Sequence, residues 1–286
     1  MTKYSLSFLL FLFPTLSFAG WFWQSDETNL NRSNAGNRYS QSFYAVKQVM
    51  LNKIYYDYRR TLYCNAEFDR FKKIKKSQGF ELPDIRKVDF KVYDISSEEL
   101  KRKSERLEWE HIVPAENFGR TFKEWSQGHK NCVSNKGKHF KGRSCAVKEN
   151  ENFRYMYTDM YNLYPVIGAV NYLRANFNFT QFNQRDNVKV LFGGCPMKIS
   201  RNKAEPRDEV KGLIARTYFY MEQTYPRYKI GEPMRGILKT WDKKYPVTAW
   251  ECKRAYRIEK VQGNANEIVK KKCENKGLYP DNKGIE

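Results

Sequence analysis

Six cysteines constrain the fold of this chain more than any other feature, because paired cysteines tie together segments that are far apart in sequence. Their number is even and no Cys-x-x-Cys pair occurs, so disulfides are favoured over a zinc site or a thioredoxin-like redox site. Spacing by itself favours two short loops and leaves one long-range pair. The predicted pairs are Cys132 with Cys145, Cys252 with Cys273, and Cys64 with Cys195.

Disulfides agree with the start of the chain, which has the composition of an export signal. A short basic start and an apolar run lead to small residues at Ser17 and Ala19, and this predicts a signal peptide over residues 1–19, cleaved near Ala19. No later segment approaches the roughly 20 apolar residues that a membrane-spanning helix needs. We therefore expect a periplasmic or secreted protein without a membrane span, and a monomer.

Composition divides the remaining chain into three parts. Residues 20–41 are rich in Asn, Ser and Gly and predict a flexible leader. Residues 42–275 carry the periodic apolar patterns and predict a single domain. Residues 276–286 contain Pro, Gly and charged residues and predict a loose tail.

Within the domain, apolar periodicity predicts both helices and strands. Helical spacing occurs over Ser42–Cys64, over Gly168–Phe177 and in the segment that begins at Asp208. Residues 106–114 are predicted to form a strand that Pro114 ends, because proline cannot donate to the strand ladder. Alternation over Val88–Val92 indicates a further strand. These patterns predict an α+β fold in which helices surround a small sheet.

The net charge of +20 points to a polyanionic partner. Basic residues concentrate in the runs 70–76 and 136–143, the second lying in a polar, Gly-containing insertion between Gly128 and Lys148. A nucleic acid satisfies such a charge, although a merely solvated basic surface explains it too. A basic protein that binds acidic envelope polymers or membrane surfaces is a further alternative.

Only three histidines are available as a general base near neutral pH. His129 and His139 lie in polar, basic loop sequence, whereas His111 follows Glu110 directly and ends the predicted strand. Hydrolysis of a phosphodiester needs an activated water and a counter-charge for the transition state, which a His and one divalent cation can provide. An adjacent Glu-His pair alone is weak evidence, and a structural role for it is an alternative.

The surrounding motif is more specific. Residues 108–119 read Glu-Trp-Glu-His-Ile-Val-Pro-Ala-Glu-Asn-Phe-Gly, and residues 159–165 and 168–171 read Asp-Met-Tyr-Asn-Leu-Tyr-Pro and Gly-Ala-Val-Asn. In combination, these motifs resemble those of the bacterial endonuclease I family, which comprises periplasmic and secreted nucleases with a ββα-metal, or His-Me, finger. The resemblance extends from about Phe43 to Cys273.

The resemblance implies a single, mostly helical α+β domain with a small antiparallel sheet and a ββα-metal finger. By position, His111 corresponds to the general base, and Glu110 and Asn171 correspond to the metal ligands. It further implies an exported, Mg²⁺-dependent endonuclease with little sequence preference, with Mn²⁺ or Ca²⁺ as alternative ions. DNA is the expected substrate, RNA an alternative one, and the expected products carry 5′-phosphate ends.

Several positions depart from the family pattern. His129 replaces an arginine that binds the scissile phosphate, so a protonated His129 is expected to take that catalytic role and to favour lower pH. Lys130 beside it and Arg174 on the predicted finger helix are expected to contact nucleic acid. Tyr157 and Ala169 replace acidic residues, and Tyr161 replaces a histidine. These changes leave one alternative open, an exported nucleic-acid-binding protein of the same fold with weakened catalysis.

Overall fold

A computed structural model describes residues 36–75, 79–83, 95–183, 185–186, 188 and 190–280 of the chain. The predicted signal peptide, residues 20–35 of the predicted leader, the predicted strand at Val88–Val92 and residues 281–286 lie outside the described residues. Among the described helices, none is both long and apolar enough to cross a membrane.

The first described helix, α1 (Phe43–Val49), begins where Ser42 accepts a hydrogen bond from the amide of Ala45. A π-helical turn, Met50–Ile54, continues it. The predicted helix over Ser42–Cys64 is therefore too long. Beyond Tyr55 the chain turns onto the C-terminal helices, where the ring of Tyr58 stacks on Trp250 at 4.2 Å between centroids, and this tertiary contact overrides helical periodicity.

Two strands and one helix form the centre of the molecule. The strand β1 (Leu107–His111) follows helix α2 (Ser97–Ser104), and it pairs with β2 (Leu163–Ile167) in an antiparallel ladder. Residues between the strands form four short helices, α3 (Ala115–Gly119), α4 (Lys123–Ser126), α5 (Arg143–Glu149) and α6 (Glu151–Tyr157), and a 3₁₀ turn, Met160–Asn162. Helix α7 (Gly168–Arg174) starts where β2 ends and packs on both strands, which produces a ββα arrangement.

The described residues form a second sheet besides the one small antiparallel sheet that was predicted. Its strands are β3 (Asn178–Phe179), β4 (Val190–Phe192), β5 (Cys195–Ser200) and β6 (Lys203–Glu205). The order is β3-β6-β5-β4, with β3 parallel to β6 and the other neighbours antiparallel. The strands are short, so their period-two pattern is weak in the sequence.

Four helices follow in residues 206–280: α8 (Asp208–Thr224), α9 (Glu232–Lys244), α10 (Ala249–Gln262) and α11 (Glu267–Glu274). The amphipathic segment that begins at Asp208 is helical as predicted, with Asp208 as its first residue and Arg207 as its N-cap. Buried Arg216 of α8 donates to Glu251 of α10 and to Asp242 of α9, which holds the three helices together.

All three predicted disulfides are present. The bond Cys132–Cys145 closes the basic insertion, Cys252–Cys273 joins α10 to α11, and Cys64–Cys195 ties the segment after α1 to β5. With no free cysteine among the described residues, every described thiol is used for cross-linking.

The described ends of the predicted leader and tail are packed. Asn37 is buried and its side chain donates to the backbone oxygen of Tyr155 and to the hydroxyl of Thr158. At the other end, Tyr279 packs on the core and donates to Glu259. Specific tertiary hydrogen bonds thus hold Asn37 and Tyr279 against the domain.

Candidate functional site

An open cavity of about 670 Å³ lies over the ββα arrangement. Strand β1 and helix α7 form its floor, while α1 and the start of α5 contribute to its walls. The acidic, basic and amide residues that line it are Lys47, Lys72, Glu108, Glu110, His111, Glu116, Arg143, Asn171 and Asn176. The three residues that carry the predicted chemistry, His111, Glu110 and Asn171, thus share one cavity.

His111 is held in one orientation by its neighbours. Its Nε2 lies 2.7 Å from the backbone oxygen of Tyr157, and a carbonyl can only accept, so Nε2 carries the proton and Nδ1 keeps its lone pair. The imidazole stacks on the ring of Tyr157 at 4.6 Å and on the ring of Phe43 at 5.5 Å between centroids, and these two rings also contact each other. A base with a fixed ring and a defined free nitrogen is suited to proton abstraction.

Burial lowers the pKa of His111 to about 3, because the charged imidazolium would lose its hydration. The hydrogen bond to Tyr157 opposes this shift, and the positive charges of Arg143 and Arg174 add to it. The imidazole is therefore neutral near pH 7, which is the form that can accept a proton.

Glu110 is almost wholly buried at the floor of the cavity. Arg174 donates to its Oε1 at 2.8 Å, and the hydroxyl of Tyr63 donates to the same oxygen at 3.2 Å. Burial raises the pKa of Glu110 to about 7, against the opposing effects of Arg174 and Tyr63. A divalent cation beside such a carboxylate would favour its ionised form.

Asn171 faces a second carboxylate. Its Nδ2 donates to Oε2 of Glu108 at 2.8 Å, so the amide is oriented through its nitrogen. Glu108 in turn pairs with Lys103 at 2.8 Å. Sequence reasoning did not assign a role to Glu108, although it stands two residues before Glu110 and strand periodicity puts both on one face.

The donor set of the cavity suits a hard cation. No group of three or more His, Cys, Asp or Glu side chains capable of holding a metal is found among the described residues. Carboxylate oxygens of Glu110 and Glu108 and the amide oxygen of Asn171 are what Mg²⁺ prefers, and Mg²⁺ keeps several waters of its own. The residues present therefore fit a magnesium ion that is only partly coordinated by protein.

Arg174 does not lie where a nucleic-acid contact was expected. Its side chain is wholly buried beneath the cavity, and besides Glu110 it binds the backbone oxygens of His111 and Ile112 at 3.0 and 2.8 Å. A guanidinium in this position cannot reach a phosphate. It instead fixes the end of β1 and the carboxylate of Glu110.

His129 and Lys130 lie outside the cavity that contains His111. They line a separate surface cavity of about 550 Å³ together with His139 and Lys141. Nδ1 of His129 accepts a hydrogen bond from the amide of Asn131 and lies 3.3 Å from the carboxylate of Glu149. The expected role of His129 at the scissile phosphate therefore lacks support from its position.

The other positions that depart from the family pattern, Tyr157, Tyr161 and Ala169, are packed inside the protein. Tyr157 supplies both the ring and the backbone oxygen that orient His111. Tyr161 is buried and donates to the backbone oxygens of Ala255 and Asn264, and Ala169 is buried in α7. Aromatic and small side chains thus fill space at these positions rather than adding charge.

Sequence comparison identifies related proteins. The sequence profile of the endonuclease I family matches residues 42–273. An extracellular deoxyribonuclease of Aeromonas hydrophila is 37% identical over 238 residues, which cover 82% of this chain and 90% of that protein. Endonuclease-1 of Buchnera aphidicola subsp. Baizongia pistaciae is 34% identical, covering 85% and 89%. A periplasmic deoxyribonuclease of Aeromonas hydrophila is also 34% identical, covering 82% and 88%.

Proposed function

Because this chain belongs to the endonuclease I family and is a nuclease, we propose that it is an exported, Mg²⁺-dependent endonuclease that hydrolyses DNA with little sequence preference. The observation that supports this most is the cavity shared by His111, Glu110 and Asn171. A neutral imidazole stands there beside buried oxygen donors, which is the combination that phosphodiester hydrolysis requires.

In the proposed mechanism, Nδ1 of His111 takes a proton from a water molecule in the cavity. The resulting hydroxide attacks phosphorus in line, the bond to the 3′ oxygen breaks, and solvent protonates the leaving oxygen. Glu110 and Asn171 would hold the divalent ion, which when bound supplies positive charge opposite the oxygens that gain negative charge. Arg174 keeps Glu110 in place, and the products carry 5′-phosphate ends.

Affinity for the substrate is proposed to come from the basic surface. The net charge of +20 and the exposed lysines of the insertion, among them Lys130, suit contacts with phosphates that carry no sequence information. The names of the relatives favour DNA as the substrate. Matched single-stranded and double-stranded DNA and RNA, digested under the same conditions, would rank the substrates.

The decisive experiment is nicking of a supercoiled plasmid with Mg²⁺, with chelator, and by His111→Ala. We expect cleavage with Mg²⁺ only, and a loss of about 100-fold to 10⁴-fold in the variant, as is typical for removal of a general base. Intact plasmid with tight binding by the unmodified protein would instead support the weakened, purely nucleic-acid-binding alternative.

Export is proposed from the disulfides and from the names of the relatives, which are extracellular or periplasmic proteins. Cell fractionation and N-terminal sequencing of the exported protein would test both the location and the predicted cleavage near Ala19. A mature protein that still begins at Met1 would contradict the predicted signal peptide.

A further inference from the structure

The basic insertion has two faces that contact different cavities. Three of its residues, His129, Lys130 and Lys141, line the separate surface cavity. Its end is different, because Arg143 lines the cavity that contains His111. Of the basic residues in 129–143, it is therefore Arg143 that lines the cavity of the candidate site.

Arg143 is close to the general base and is not neutralised. Its guanidinium carbon lies 5.9 Å from the centroid of the Tyr157 ring, the ring on which His111 stacks. The side chain is exposed, and it forms no ion pair with any carboxylate among the described residues. Arg174, by contrast, is buried and already binds the carboxylate of Glu110. Arg143 hydrogen-bonds the side chain of Tyr157, and the other N–H groups of its guanidinium are available to an anion in the cavity.

The backbone around Arg143 is fixed rather than loose. Gly142 adopts a φ of 81°, which favours glycine, and its amide donates to the backbone oxygen of Trp125 at 3.0 Å. Arg143 is the first residue of α5, and Cys145, two residues later, is bonded to Cys132. The disulfide and the turn together determine where the guanidinium can reach.

From this arrangement we propose that Arg143, and not His129, binds the scissile phosphate, and that the Cys132–Cys145 disulfide holds it in position. The inference rests on the proposed function. A guanidinium presents several donors in a planar fork that matches phosphate oxygens, and it keeps its charge at every pH at which the protein is folded. Arg143 neutralises the phosphate as hydroxide adds, so the interaction strengthens in the transition state.

The test compares four variants: Arg143→Ala, Arg143→Lys, His129→Ala and Arg185→Ala. Arg185 is an exposed arginine outside this cavity, so its variant removes the same charge elsewhere. We expect Arg143→Ala to lower kcat by about 100-fold or more, with a smaller change in KM, as is usual when a charged donor to the transition state is removed. Arg143→Lys should recover part of kcat, and the other two variants should stay within about twofold of the unmodified enzyme.

A binding measurement makes this test independent of cleavage. In a His111→Ala background, the affinity for a DNA duplex is measured by fluorescence anisotropy over a series of salt concentrations. Loss of one phosphate contact in Arg143→Ala should reduce the slope of log affinity against log salt by about 0.9, and Arg185→Ala should leave it unchanged. If the unmodified enzyme does not cleave DNA, the proposed function fails, but this measurement still tests Arg143.

The disulfide is tested by replacing Cys132 and Cys145 together with serine. We expect a folded protein whose kcat falls toward that of Arg143→Ala, because the guanidinium is no longer held at the cavity. The proposal is overturned if Arg143→Ala behaves like Arg185→Ala in both kcat and salt slope, or if His129→Ala causes the larger loss.

Discussion

Two arginine–glutamate pairs are buried among the described residues, and they differ in how many oxygens of the carboxylate are hydrogen-bonded. In the helical region, Arg216 donates through Nε and Nη2 to both oxygens of Glu251, at 2.7 and 2.6 Å. At the candidate site, Arg174 donates to Glu110 through one nitrogen only, and both hydrogen bonds to Glu110 from described residues end on Oε1. The first pair is closed, whereas the second leaves a carboxylate oxygen for another partner.

The difference shows how a buried carboxylate can serve stability or chemistry. A bidentate pair satisfies the carboxylate, and Asp242 at 3.0 Å adds a second counter-charge for Arg216. Glu110 lies against the cavity with Glu108 nearby, whose charge contributes to its raised pKa. A divalent cation bound beside Glu110 would relieve the repulsion between its carboxylate and that of Glu108.

The largest expected effect comes from breaking the pair of Arg174 and Glu110, in which one carboxylate oxygen has no hydrogen-bond partner among the described residues. Glu110→Gln keeps an oxygen for Arg174 and Tyr63 but removes the negative charge that the proposed metal site needs. We expect cleavage with Mg²⁺ to fall by about 1000-fold, since a bound metal ion contributes several kcal/mol to such transition states. Because Arg174 is wholly buried and loses its carboxylate partner, the variant should also lose about 3 kcal/mol of the free energy of unfolding, so cleavage is measured at a temperature at which it is folded. Full activity in Glu110→Gln would remove this residue from the proposed metal site.

A smaller effect, of the opposite kind, is expected from the closed pair. Glu251→Gln leaves Arg216 buried with part of its charge uncompensated, which should cost about 3 kcal/mol of the free energy of unfolding. Activity at 25 °C should stay within about twofold, because neither residue lines the cavity. Denaturant unfolding measures the loss, and Glu209→Gln, at an exposed ion pair with Arg207, is the control with an expected change below about 0.5 kcal/mol. Equal losses in the two variants would contradict the assignment of the closed pair to stability.

The pH dependence of the free energy of unfolding sharpens the comparison further. His111 has a folded pKa of about 3 against an ordinary value of 6.5, so between these values the unfolded chain binds a proton that the folded chain does not. Its contribution to stability is therefore present above pH 6.5 and is lost as pH falls toward 3, by at most about 1.4 kcal/mol per pH unit. Glu110 acts oppositely, since its raised pKa favours folding below pH 4.5 and loses that effect as pH rises through about 7.

The measurement is the free energy of unfolding from pH 3 to 7 in the unmodified protein and in His111→Gln, which retains Glu110. The variant should lose less stability toward low pH. Identical slopes would show that the imidazole titrates in the folded protein much as it does in the unfolded chain.

Local sequence signals predicted a large part of this fold. The strand before Pro114, the helix that follows β2 and the helix from Asp208 were all visible as apolar periodicity, because each buries one face. Helix α1 was predicted at the right start but too long, since the stacking of Tyr58 on Trp250 ends it. The second sheet was missed because its strands have only two to six residues.

For the site, the sequence identified the residues with chemistry but not their partners. His111, Glu110 and Asn171 were singled out by residue type and motif, and they share a cavity. Arg174 was expected to touch nucleic acid and is instead buried against Glu110, because a basic residue looks the same in sequence whether it faces solvent or a carboxylate. Glu108 was given no role and Arg143 was named only as part of the basic run 136–143, since only the fold brings both into the cavity with His111.

By itself, the sequence determined the chemical groups available to this protein, the covalent links between its cysteines and its excess of positive charge. Each of these follows from side-chain identity and short-range spacing. The tertiary structure alone decided which carboxylate is satisfied, which cation is buried and which cation faces the cavity. Those outcomes depend on burial and on distances between segments that are far apart along the chain, such as Glu110 and Arg174, and local sequence carries no record of them.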